Sequence, residues 1–280
     1  MAVKQAFNGL TTQEWAMNSR SVWGDVSSPR SRNALEHGAT FPKKLSDRVV
    51  SLYSSVGDLV LDPFLGIGTT ALSAVELQRN FVGFELSSDF FSMASSSVEQ
   101  FLVSIDQANI SCKIKHGDCL DLINSIADET LSLTFTSPPY ANLIHKIVDD
   151  RTNRHRKSAF VLNNNATTRI YSDSQKDFGN MDLAAYEEAV LALMKKIFNK
   201  TRNKGYNIWV VKDFRDVKNG VPYVDLHSII ANLGQEAGFK YHDLIVWDQN
   251  ERRRLVLLGY PSVFYANQNH SFLVVLRKVS

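Results

Sequence analysis

Leu61-Asp62-Pro63-Phe64-Leu65-Gly66-Ile67-Gly68-Thr69-Thr70-Ala71 is the stretch on which the fold turns. Immediately upstream, Leu59–Leu61 is a short apolar run that follows the turn pair Gly57-Asp58, the pattern of a buried strand. Downstream, Gly66–Arg79 carries Ala71, Leu72 and Val75 at helical spacing. A strand, a glycine loop and a helix form the unit in which an open α/β sheet binds a ligand beyond the carboxyl end of the strand. Gly66 and Gly68 have no Cβ, so the backbone can turn tightly there and approach a ligand closely.

The same rhythm continues outward. Phe81–Phe84 reads as a second strand, Phe90–Ile105 as a helix, Cys112–Ile114 as a third strand and Leu131–Phe135 as a fourth. After a segment without rhythm come a helix at about Leu183–Phe198, a strand at Ile208–Val211 and a helix at about Asp225–Ala237. Strands at Leu244–Trp247 and Phe272–Leu276 have no helix between them, so the last one is expected to run antiparallel. The expectation is an α/β fold: one seven-stranded, mostly parallel sheet, Rossmann-like, with helices on both faces. A single domain would span residues 1–280, with an N-terminal arm over 1–47 and an insertion over 141–181.

Two ligands compete for the glycine loop. With Ala71 it spells G-x-G-x-x-A, and Glu85 lies nineteen residues past Gly66, so a dinucleotide is one reading. Asp62 argues against it: a carboxylate at the strand tip repels a pyrophosphate but attracts a ligand bearing an ammonium and a sulfonium. That ligand is S-adenosylmethionine. Glu85 would then accept bonds from the ribose hydroxyls, and Asp118 one from the adenine amino group. Taken singly, each acid is as easily a helix cap or a solvated turn residue; their spacing after successive strands favours the cofactor.

The fourth strand runs into Thr136-Ser137-Pro138-Pro139-Tyr140. Two adjacent prolines stiffen the chain and remove two N–H donors. What remains is an arc of acceptors, the Ser137 hydroxyl oxygen and the Pro138 carbonyl, suited to an amino group with two hydrogens to give. The exocyclic amine of a nucleobase is a poor nucleophile because its lone pair is delocalised into the ring. Acceptors placed where positive charge grows on nitrogen favour the pyramidal form. Tyr140 offers a face for stacking the base, which in a duplex must first be flipped out.

Together these residues resemble the amino-group DNA methyltransferases of restriction–modification systems, which methylate N4 of cytosine or N6 of adenine. The resemblance rests on Asp62-Pro63-Phe64-x-Gly66-x-Gly68-Thr69-Thr70 and Ser137-Pro138-Pro139-Tyr140. His37-Gly38-Ala39-Thr40-Phe41-Pro42-Lys43-Lys44-Leu45 is similar to the family's cofactor element ahead of the glycine loop. Val82-Gly83-Phe84-Glu85 is similar to its ribose-binding strand, and Asn269-His270-Ser271-Phe272 to its ending. The resemblance implies a cofactor site of Phe41, Pro42, Asp62, Pro63, Phe64, Gly66, Gly68, Thr69, Thr70, Glu85 and Asp118, and a catalytic loop of Ser137, Pro138, Pro139 and Tyr140. It further implies double-stranded DNA as substrate, allows a cognate restriction endonuclease acting on the same site, and fits a cytoplasmic protein of prokaryotic or phage origin. Serine at position 137 resembles the cytosine-N4 branch, with adenine N6 as the alternative. Many relatives place the Ser-Pro-Pro-Tyr element before the glycine loop, whereas here it follows.

Composition narrows the remaining choices. Lys and Arg number 31 against 29 Asp and Glu, a formal net charge of +2, so any affinity for nucleic acid must come from local charge. Arg151, Arg154, Arg156 and Lys157 in the insertion are the expected phosphate contacts, and Arg252, Arg253 and Arg254 form a second cluster. Two cysteines, Cys112 and Cys119, are too few for a disulfide framework, and neither stands in the Ser137–Tyr140 loop where attack on a cytosine ring would need one. With His116 they suggest metal ligands only superficially; core packing is the simpler reading, and no metal is expected. No secretory leader or membrane span is visible. An RNA or protein amide methyltransferase and a non-catalytic nucleic-acid-binding subunit remain rival readings.

Overall fold

The structure, a computed structural model, describes residues 6–26, 41–104, 110–139, 174–216, 220–252, 255 and 257–279. Its centre is β2 (Leu59–Asp62), the strand that feeds the glycine loop. On one side β2 pairs in parallel with β3 (Asn80–Glu85), which pairs in parallel with β4 (Cys112–His116). On the other it pairs in parallel with β5 (Leu131–Thr136), and β5 with β6 (Thr201–Val211). The strand order therefore reverses between β2 and β5, and at such a switch point two loops leave neighbouring strand tips and open a crevice. These loops are the glycine loop and the Ser137–Pro139 segment.

The sheet then extends through β10 (His270–Arg277), antiparallel to both β6 and β9 (Lys240–Asp248), as expected for the last strand. It has eight strands rather than seven. The extra one is β1 (Val22–Trp23), which pairs in parallel with β9 at the far edge. β1 is two residues long, too short to show periodicity, and it forms because burying the Trp23 ring there fixes the chain against β9. A second, two-stranded sheet, β7 (Phe214–Asp216) with β8 (Val221–Val224), grows from the end of β6 and was also not expected.

Helices cover both faces. α2 (Lys43–Tyr53), α3 (Thr69–Glu76) and α4 (Ser88–Ser104) bury Leu45, Val49, Ala71, Ala74 and Val98 against one face. α5 (Cys119–Leu122), α6 (Leu183–Lys200) and α7 (Leu226–Glu236) bury Cys119, Tyr186, Leu193 and Ile230 against the other. All six residues of β5, Leu131–Thr136, are buried, as befits a strand covered on both sides. The two cysteines are free, Cys119 buried and Cys112 half-buried among apolar neighbours. The expected arm boundary at residue 47 falls inside α2, whose first turn is continuous with the body. α1 (Thr12–Asn18) precedes it, closed by a reciprocal cap between Thr11 and Glu14. Among the described residues no helix is long and apolar enough to cross a membrane.

Candidate active site

At the switch point a cleft encloses about 940 Å³ of empty space, part of it open to solvent. Its wall is drawn from the tips of four strands: Asp62–Ile67 and Thr69 after β2, Glu85–Ser87 after β3, Gly117–Cys119 after β4, and Ser137–Pro139 after β5. The glycine loop is held in shape by left-handed backbone at Gly66 (φ 56°) and Gly68 (φ 88°). A Cβ at Gly68 would sit 3.3 Å from that of Ala94 on α4, so both conformation and space call for glycine.

Three buried or half-buried acids organise this wall. Asp62, expected to face a cationic ligand, is 1% exposed and already serves three donors. Its Oδ1 accepts from the Phe64 N–H (3.1 Å) and the Thr136 hydroxyl (2.6 Å), and its Oδ2 from the Thr70 hydroxyl (2.6 Å). A carboxylate has about four lone-pair sites, so roughly one remains toward the cleft. Burial pushes the Asp62 carboxyl up to about 6, against the pull of those hydrogen bonds. Glu85 accepts from the Gly66 N–H (2.7 Å) with Oε2 and from the Ser87 N–H (2.8 Å) with Oε1, so it buttresses the glycine loop from the next strand. Burial pushes it up to about 7, and the charges of Asp62 and Asp177 add to the rise. Asp118 caps α5 through the Leu120 N–H (2.9 Å) and lies 3.4 Å from the Lys176 ammonium.

Between Glu85 and Asp118 the wall turns apolar, with Ile67, Leu86 and Phe90 lining it. Phe41 lines the other end, its ring 4.9 Å from that of Phe135, and Pro42 begins α2 behind it. Phe64 lies edge-on to Phe178 (5.1 Å) and Trp209 (6.1 Å). Thus Phe41, Asp62, Pro63, Phe64, Gly66, Thr69, Glu85, Asp118, Ser137, Pro138 and Pro139 share one cleft, with Thr70 bonded to Asp62 beneath it. Tyr140, Arg151, Arg154, Arg156 and Lys157 lie outside the described residues, as do His37–Thr40, Arg253 and Arg254.

Leu65, Ile67, Leu86, Ser87, Phe90, Gly117 and Cys119 line the cleft without having been expected in the site, and three more unforeseen residues come from far along the chain: Lys176, Asp177 and Phe178. They belong to the end of the expected insertion, where residues 174–181 fold back onto the body. Asp177 is 6% exposed and its Oδ1 accepts the Gly179 N–H (2.8 Å), capping a single turn at Phe178–Asn180. Gly179 backs onto the proline pair: a Cβ there would lie 3.3 Å from Pro139 Cβ and 3.1 Å from Asp177 Oδ1. The sequence signal that could have found this turn is Asp177-Phe178-Gly179-Asn180, an Asx-type turn pattern.

Residues 3–96 match an N6/N4 methyltransferase family model described as DNA methylase. Over that segment the chain is similar to the N6/N4-type DNA methylases. Stretches of the chain are 36% identical over 123 residues to the type II methyltransferase M.BglI of Bacillus subtilis, covering 44% of this chain and 32% of that one. Over 85 residues they are 38% identical to M.MthZI of Methanothermobacter thermautotrophicus, covering 29% and 24%. The chain thus spans about a quarter to a third of the length of these relatives. Among solved structures, a SAM-dependent methyltransferase from Methanosarcina mazei aligns with a TM-score of 0.49 at 11% identity, covering 82% of this chain and 97% of that one. A methyltransferase from Pyrococcus furiosus aligns with a TM-score of 0.46 at 12% identity, covering 86% and 84%.

Proposed function

We propose that the chain transfers a methyl group from S-adenosylmethionine to the exocyclic amino group of a base flipped out of double-stranded DNA, with cytosine N4 as the acceptor. One observation carries the reading: the Thr136 hydroxyl bonds the Asp62 carboxylate, joining the Asp-Pro-Phe and Ser-Pro-Pro loops over one cleft. A donor site and an amine site fixed to each other at adjoining strand tips are what a direct transfer between them requires.

The residues fit the cofactor chemically. Glu85 would accept the ribose hydroxyls, Asp118 the adenine amino group, and the Ile67, Leu86 and Phe90 surfaces would sandwich the ring between them. The acceptor left on Asp62 faces the methionine end, together with Phe41. When bound, the cofactor supplies an electrophilic methyl on a sulfonium. On the base side, the Ser137 hydroxyl oxygen and the Pro138 carbonyl accept the two amine hydrogens, which localises the nitrogen lone pair. Tyr140 provides the stacking face. A methylated exocyclic nitrogen carries one proton too many, and a serine hydroxyl cannot hold it at neutral pH. Asp177, in the same cleft and backed against Pro139 through Gly179, is the carboxylate assigned to take it. Serine at position 137 supports cytosine. Nucleoside mass analysis and sequencing of DNA methylated by the purified protein test this; N6-methyladenine in place of N4-methylcytosine would keep the chemistry and move the acceptor, and unmodified DNA would refute both.

Protonation gives a further expected result. Ribose hydroxyls donate more strongly to Glu85 when it is ionised, so donor affinity should rise with pH from about 5 to about 8. The rise centres near the Glu85 value of about 7 and extends below about 6, where Asp62 also protonates. Without donor the sign reverses. Both acids hold protons in the folded state that the unfolded chain has released, so stability falls as pH rises from about 4 to about 7. Calorimetric titration in buffers of different ionisation heat measures the proton release; an affinity flat across this range would mean that Glu85 does not touch the donor.

DNA would be gripped by the insertion that follows Pro139. Replacing Arg151, Arg154, Arg156 and Lys157 by glutamine should lower the slope of log affinity against log salt by about 0.9 for each phosphate no longer neutralised. An unchanged slope would mean that other cations of the chain hold the phosphates.

A further inference from the structure

Beyond the cleft, along the same edge of the sheet, the molecule exposes a group of large apolar side chains. On the β9–β10 connection Leu257 is 82% exposed, Tyr260 76% and Phe264 90%. Single exposed apolar side chains are ordinary, but three within eight residues, two of them aromatic, mark an interaction surface.

Topology places this connection beside the reaction cleft. Phe272, early in β10, pairs with Val211 at the end of β6, while Thr136, just before Ser137, pairs with Trp209 of that same strand. The connection therefore rejoins the sheet at the tip of the strand adjoining the Ser-Pro-Pro loop. The β7–β8 hairpin rises from this tip and is bound to the connection. The Arg215 guanidinium lies over the rings of Tyr223 (5.7 Å) on the hairpin and Tyr265 (5.1 Å) on the connection. The base of the hairpin is rigid: the Tyr223 hydroxyl donates to Asp213 Oδ2 (2.8 Å), and Asp213 Oδ1 also accepts the His227 N–H (3.1 Å). The Lys212 ammonium donates to the Gln268 carbonyl.

Charge identifies the occupant. Residues 249–269 contain three arginines, Arg252, Arg253 and Arg254, against one acid, Glu251. Exposed aromatic faces near the Arg215 guanidinium, on a connection whose sequence adds this arginine surplus, suit a polyanion that presents bases as well as phosphates, whereas an apolar protein partner would have no use for the surplus. We infer that the β9–β10 connection and the β7–β8 hairpin form a second DNA-contacting surface, in which Tyr260 and Phe264 lie against the nucleic acid beside the flipped base and Arg215 meets its backbone. This inference rests on the DNA methyltransferase reading and adds to it where the duplex is held.

The test uses the full chain and two variants, the double change Tyr260→Ala with Phe264→Ala and the single change Arg215→Gln. Binding of a fluorescein-labelled duplex oligonucleotide is followed by anisotropy, donor binding by calorimetry, methyl transfer with labelled donor on long natural duplex DNA, and self-association by sedimentation. Loss of the two aromatic faces is expected to weaken duplex binding by about ten-fold or more, with donor affinity and melting temperature unchanged because both side chains are exposed. Arg215→Gln should weaken it too and flatten its salt dependence. If wild type methylates DNA and the variants bind duplex as it does, this inference alone falls. If wild type binds donor but neither binds nor methylates DNA, the reading beneath it falls and the inference with it. A variant that changes self-association and leaves duplex affinity intact would give the surface to a second copy of the chain and overturn the proposal.

Discussion

Replacing Asp62 by alanine should lower methyl transfer by about 100-fold or more, through both substrates at once. Asp62 is buried and its two oxygens accept from Phe64, Thr70 and Thr136, which belong to the glycine loop, the helix after it and the tip of β5. Removing the carboxylate strands two hydroxyls and one amide N–H in the interior, at about 1–3 kcal/mol for each donor left unsatisfied. The loops then lose their common tie, so donor affinity and turnover fall together. Thr136→Val separates these effects. It breaks only the bond between loops, so donor affinity should stay within a few-fold of wild type while turnover falls. Crossing the two changes in a double-mutant cycle should give a coupling of about 1–3 kcal/mol. Additive losses would mean that the 2.6 Å bond between Thr136 and Asp62 does not connect the two halves of the site.

That tie also marks where sequence reading stops. The glycine loop, Glu85 and the Ser-Pro-Pro segment were legible because each follows a strand whose apolar run is local, and parallel strands bring their tips to one edge of the sheet. Glu85 was read as a ribose acceptor from spacing alone, but its bond to the Gly66 N–H appears only once β3 lies beside β2. Asp62 shows its charge in the sequence but not its neighbours Phe64, Thr70 and Thr136. Thr136 lies 74 residues away, and nothing in local sequence announces that its hydroxyl will reach the acid. β1 escaped for a related reason: two residues carry no period, and Val22 and Trp23 become a strand only by pairing with Val246 and Trp247. The β7–β8 hairpin carries Pro222 and three-residue and four-residue strands, too little to outweigh turn signals. Cys112 and Cys119, by contrast, pack with the apolar clusters on the two faces of the sheet.

Asp177 presents the sharpest case, because its role depends wholly on a fold-back that sequence does not reveal. Asp177→Asn should cut turnover by about 100-fold or more, within the usual contribution of a positioned acid or base, and leave donor affinity within about two-fold. The separation is possible because asparagine keeps an oxygen where Oδ1 accepts the Gly179 N–H, so the turn at Phe178–Asn180 persists and Phe178 stays packed on Phe64. Only the capacity to take a proton is lost. Gly179→Ala gives an independent approach to the same geometry. Its methyl would come within 3.1 Å of Asp177 Oδ1 and 3.3 Å of Pro139 Cβ, pushing the acid and the proline arc apart without touching either side chain's chemistry. Turnover should fall although both side chains are intact, because the base is displaced. If Asp177→Asn instead weakens donor binding and leaves single-turnover transfer untouched, Asp177 belongs to the donor side of the cleft, and the proton must leave the amine by another route.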